Sequence, residues 1–146
     1  MENTGQNLAN HTRWDPPYHF FVLPVLLVNV FWNICKVWQY PSWDTGEGLL
    51  VAIALVMLGL YARVNALRAQ DRLIRLEENL RYQRLLPGPL AAQAIAGLTP
   101  GQNIALRFAG DNELADLVTK ALAGTLALPA DIKKAVRNWR GDYFRV

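Results

Sequence analysis

A chain of 146 residues with 52% hydrophobic and only 18% charged residues fits one domain and leans toward the membrane class. A net charge of +3 is too small to point to nucleic acid by itself, and the single cysteine, Cys35, rules out an intrachain disulfide and argues for no oxidising compartment. The apolar residues are unevenly spread, with two dense blocks in the first half and ordinary amphipathic sequence in the second.

The polar opening MENTGQNLANHTRW has little positive charge and no small-residue cleavage site after it, so residues 1–15 read as a flexible arm and not as a signal peptide. Asp15 ahead of Pro16 and Pro17 is a helix start, and the first apolar block, Phe20 to Trp38, would reach roughly 28 Å as a helix, about one hydrocarbon core. Pro24 predicts a bend near its beginning. Asn29, Asn33 and Lys36 fall at i, i+4 and i+7, on one face of this span. Polar groups at such depth face protein or a water-filled cavity, and the expectation is hydrogen bonding between helices, with Lys36 reaching Asp44, Glu47 or lipid phosphate. A ligand pocket is the smaller alternative.

QYPSWDTGEG is a turn, and Asp44 with Glu47 three residues on predicts a capping box for the second helix. Its span runs from Thr45 to Val64, so residues 16–64 form a two-span transmembrane hairpin. Arg63, Arg68, Arg72 and Arg75 follow the second span as a lipid-facing basic group, whereas the connecting loop has no Lys or Arg, which predicts both termini in the cytoplasm. No breaker occurs before Leu86, so residues 65–86 continue as a cytoplasmic helix. Gly59, Ala62, Ala66, Ala69, Leu73, Leu76 and Leu80 alternate spacings of three and four, the pattern of an association seam. The competing reading is that this face packs on the chain's own C-terminal part.

Pro87-Gly88-Pro89 is a hinge, and residues 87–146 predict a small helical bundle. Thr99-Pro100-Gly101-Gln102 is a second capping box with proline at the first helical position. Asp111 predicts the cap of a helix whose apolar face is Leu114, Leu117, Val118, Ala121 and Leu122 and which Gly124 ends. The last helix opens at Leu128-Pro129, carries Ile132, Val136, Trp139 and Tyr143 on one side, and sets Lys133, Arg137 and Arg140 as a basic face on the other.

Catalytic chemistry has little to draw on. His11 and His19 both precede the first span, with no acidic or thiol group at metal-ligand spacing, so no metal and no cofactor is implied. Glu77 and Glu78 are adjacent on a helix and read as solvated charge; Asp111, Glu113 and Asp116 read as first-turn dipole partners. Arg140-Gly141-Asp142 is a tripeptide common by chance.

The stretches IALRFAGDNELADLV and IKKAVRNWRGDYFRV, with two spans ahead of the arginine-rich RLIRLEENLRYQRLL, resemble a family of small bacterial integral membrane proteins known only as a domain of unknown function. The resemblance covers Trp14 to Val146 and implies a bacterial inner-membrane location. It brings no activity or site residue, and this chain has Gly110 and Asn112 where members often have serine and an acidic residue.

The expected protein is therefore all-α and non-enzymatic, a membrane scaffold or accessory subunit that touches lipid and either forms a homo-oligomer or joins a larger complex through its seam. The alternatives are a membrane-tethered regulator, whose bundle binds a cytoplasmic protein, anionic lipid or nucleic acid through Lys133, Arg137 and Arg140, and an oligomeric pore lined by Asn29 and Asn33. Nucleic acid is the weakest of these partners.

Overall fold

The computed structural model describes residues 5, 7, 8, 10 and 15–142. His11, Arg13, Tyr143 and most of the N-terminal arm lie outside the described residues. The protein is all-α. After a π-helical turn at Tyr18–Val22 come α1 (Leu23–Gln39), α2 (Trp43–Leu85), α3 (Gly88–Gly97), α4 (Pro100–Leu106), α5 (Leu114–Leu122) and α6 (Pro129–Ala135). One isolated antiparallel bridge, Ala109 to Trp139, is the only extended pairing among the described residues.

The chain divides into two compact units, one covering Arg13–Leu67 and the other starting at Arg68, and α2 contributes to both. The first unit is a helical hairpin. Two of its helices, Tyr18–Gln39 and Trp43–Leu85, are long and apolar enough to cross a membrane, and their apolar stretches are almost wholly unburied by the protein itself. A π turn stands just before Pro24: the Leu23 amide reaches back five residues to the Tyr18 carbonyl, and Pro24, which has no amide to donate, follows in the same continuous Tyr18–Gln39 helix.

Start and stop signals differ in places from the expected ones. The cap of α2 is Ser42 with Thr45, not Asp44 with Glu47: the Ser42 amide donates to Thr45 Oγ1 at 3.0 Å and the Thr45 amide to Ser42 Oγ at 3.2 Å. The Thr99 box forms as expected, with the Gln102 amide on Thr99 Oγ1 at 3.3 Å and the Thr99 amide on Gln102 Oε1 at 2.9 Å. Gly124, at φ +78°, ends α5 in the left-handed region and donates its amide to the Ala121 carbonyl.

The second unit has the core. Tyr82 of α2 and Leu86 just after it pack with Ala91 and Ala94 of α3, Leu106 of α4, Leu114, Leu117 and Val118 of α5 and Ile132 of α6. The predicted last helix is shorter than expected: α6 stops at Ala135, and Val136 is already extended at ψ 123°. Val136 and Trp139 still pack on the core, but from an irregular segment tied down by the Arg140 amide on the Phe108 carbonyl at 2.8 Å.

Candidate functional site

Within the hairpin, the predicted polar stripe is satisfied locally. Asn33 Nδ2 donates to the Asn29 carbonyl at 2.9 Å and lies 3.3 Å from Asn29 Oδ1, while Lys36 is exposed. Across the hairpin, α2 offers small residues to α1. A Cβ placed on Gly48 would stand 2.9 Å from Asn33 Oδ1, one on Gly59 would stand 3.4 Å from Leu26 Cδ1, and Ala52 between them is 2% exposed. Missing side chains let the two backbones approach. Gly59, the first member of the predicted seam, is thus occupied inside the hairpin.

Arg63 also turns inward instead of out to lipid. Its guanidinium lies 3.9 Å from the Asp15 carboxylate and 5.8 Å from the centre of the Tyr18 ring, with 15% of the side chain exposed. His19 folds onto its own helix start, Nδ1 being 2.8 Å from the Asp15 carbonyl. Arg68, Arg72 and Arg75 are exposed, as a lipid-facing or solvent-facing group must be.

In the second unit the α2 segment has two contrasting faces. One carries Ile74, Glu78, Arg81 and Tyr82, all at or below 5% exposure, with Tyr82 in the bundle core and Arg81 bonded to Ala109 and Asp111. The opposite one carries Leu73, Leu76 and Leu80 at 55%, 56% and 58% exposure. The competing reading, that the leucine seam packs on the chain's own C-terminal part, does not describe Leu73 and Leu76, which stay outside the core, whereas Leu80 borders a groove shared with Arg107, Arg140 and Asp142. The bundle uses the other side of the helix, because Ile74, Glu78, Arg81 and Tyr82 recur at the same helical spacing one step round.

The buried face holds a charge network that the sequence reading missed by treating Glu78 as solvated. Arg81 donates from Nη1 to Glu78 Oε2 at 3.1 Å, from Nε and Nη2 to Asp111 Oδ1 at 3.0 and 2.6 Å, and from Nη2 to the Ala109 carbonyl at 2.6 Å. Asp111 is thus the clamp of α2 onto the α4–α5 turn and not the cap of α5. Tyr82 donates to Asn103 Oδ1 at 2.9 Å beside it. Burial pushes the Glu78 carboxyl above its ordinary range despite Arg81 and Arg140, whereas the hydrogen bonds from Arg81 hold Asp111 below it. Burial also pushes the Tyr82 phenol up. The sign in the sequence was the i, i+3 pair Glu78–Arg81 within the Ile74–Tyr82 spacing.

A groove of about 580 Å³ opens beside this network, lined by Glu77, Glu78, Arg84, Arg107, Arg140 and Asp142 among others. Its charges are largely matched within the chain: Arg107 meets Asp142 at 3.2 Å, and Arg140 lies 3.7 Å from Glu78. The residues of the predicted basic face are not carried by one helix, because α6 ends at Ala135. Lys133 sits on α6 with its ammonium 5.7 Å from the Phe108 ring, while Arg137 and Arg140 follow the helix end and Arg140 faces Glu78.

Glu113 stands at the start of α5, as a helix-dipole partner would, and does more than that. It begins α5 without capping it, and its carboxylate accepts the amides of Gly110 at 3.3 Å, Arg137 at 3.1 Å and Asn138 at 3.0 Å. The two of these amides that follow Ala135, those of Arg137 and Asn138, hold that segment out of the helix. No group of three or more His, Cys, Asp or Glu residues suited to a metal ion occurs among the described residues.

The model of the Family of unknown function (DUF6526) matches residues 1–146, so the match includes the arm that the resemblance left out. No curated protein and no solved structure matches the chain.

Proposed function

The chain belongs to that family of unknown function, and because membership carries no activity with it, we propose from the chain's own surfaces a non-enzymatic, membrane-anchored scaffold or accessory subunit that acts by helix–helix association. The hairpin crosses a bacterial inner membrane, and the arginine group Arg68, Arg72 and Arg75 keeps both ends of the chain on the cytoplasmic side. The observation that carries the reading is the face of Leu73, Leu76 and Leu80, each more than half exposed on a helix whose other side is fully engaged. In water such a face is stabilised by covering it, at about 25 cal/mol per Å² of apolar surface.

Native mass spectrometry of the protein, gently extracted from its own membrane without overexpression, tests this. The expected spectrum shows the 16.4 kDa chain leaving with further chains, and replacing Leu73, Leu76 and Leu80 together by Ser releases it alone with its helicity unchanged. A wild-type protein that flies as a single chain would remove the scaffold reading.

A further inference from the structure

We propose that the occupant of the leucine face is a second copy of this chain, lying parallel and in register, with Arg72 of each copy paired to Glu77 of the other. This inference rests on the scaffold reading and names its partner. Ala69, Leu73, Leu76 and Leu80 carry the four-three-four spacing that lets two helices interlock side by side. Arg72 immediately precedes Leu73 and Glu77 immediately follows Leu76, so the two charges flank the stripe on opposite sides.

In a parallel, in-register pair, the residue ahead of one seam position meets the partner residue five positions further along, which is the separation of Arg72 and Glu77. The match is reciprocal, as a twofold interface requires. An antiparallel pair would bring Arg72 flank to Arg72 flank and Glu77 flank to Glu77 flank. Neither residue has an ion pair within the chain among the described residues, although Glu78 and Arg81 close by are fully engaged. Membrane insertion adds an independent reason for the parallel choice. The same arginine rule orients every copy, so the α2 helices of two copies in one bilayer run in the same chain direction. Three leucines make a short seam that would be weak in dilute solution; confinement to a surface raises the effective concentration and compensates.

Disulfide trapping of the full chain in native membranes reads this directly. In a Cys35→Ser background, Leu76→Cys and Leu73→Cys form a covalent dimer at twice the chain mass on mild oxidation, at least about tenfold faster than the off-stripe control Arg75→Cys. Adding Arg72→Glu to Leu76→Cys slows trapping roughly tenfold, because two attractions become two repulsions, and adding Glu77→Arg as well restores it. Trapping to a chain of different mass, or failure of the double exchange to restore the rate, overturns the parallel self-pair and leaves the scaffold reading standing. Absence of trapping at every stripe position, together with a wild-type spectrum unaffected by the triple leucine replacement, removes both.

Discussion

Arg81 is 4% exposed and bonds three partners, Glu78 on its own helix and Ala109 and Asp111 in the α4–α5 turn, so the consequences of altering its partners are unequal. Asp111→Asn withdraws the ionised acceptor of two hydrogen bonds and leaves a buried guanidinium short of charge, which should cost about 1–3 kcal/mol in thermal unfolding of the full chain. The pH dependence has two opposite parts. Glu78 has a raised pKa in the folded state, so its contribution is most favourable below its ordinary 4.5 and is lost as pH rises through the raised value. Asp111 has a lowered one, so its contribution is present above the ordinary 3.8 and is lost as pH falls toward the lowered value. Melting temperatures across pH should therefore show a decline above about 4.5 that flattens in Glu78→Gln, and an acid-side decline that flattens in Asp111→Asn. A Glu78→Gln profile with the wild-type slope would contradict this assignment. None of this network was visible in composition, since Arg81, Glu78 and Asp111 are ordinary surface residue types whose meeting depends on a turn thirty residues away in sequence.

The elements whose signals are local were legible, and those decided by distant partners were not. The Thr99 box and the Gly124 stop are each written within a few residues and both form, and two long apolar helices form as well, although α2 starts from Ser42 and Thr45 and not from Asp44. Gly124→Ala should accordingly lose about 1 kcal/mol, because φ +78° crowds a Cβ, and a melt unchanged within a few tenths would count against a strained position. The helix after Leu128 was overextended because Ile132, Val136 and Trp139 do have helical spacing. Nothing in that spacing records that Glu113 will capture the amides of Arg137 and Asn138 or that Trp139 will bridge to Ala109. At the hairpin, Gly59→Ala should be tolerated, since its Cβ meets Leu26 at an ordinary 3.4 Å. Gly59→Leu should force α1 and α2 apart at a cost of about 1–3 kcal/mol, seen as a lower melting temperature in detergent or lipid.

For the whole molecule, the sequence allowed an all-α chain of apolar helices followed by a small bundle to be read, because hydropathy and helix punctuation are one-dimensional properties. The membrane orientation proposed for the hairpin belongs to this scale as well. Exchanging Arg68, Arg72 and Arg75 for Glu should weaken or invert the insertion, which labelling of a cysteine introduced at Ser42 from either side of the membrane would register; unchanged labelling would show that the arginines do not set it. The closure of the second unit has a consequence in time. In a chain made from its N-terminal end, α2 is finished while residues 137–142 have yet to be synthesised, and Phe108, Arg107 and Glu113 must wait for Arg140, Asp142 and the Arg137 and Asn138 amides. During that interval the nascent bundle shows its unfinished interior and its leucine face together, so a protein already bound to its neighbour through the leucines would complete its own interior second.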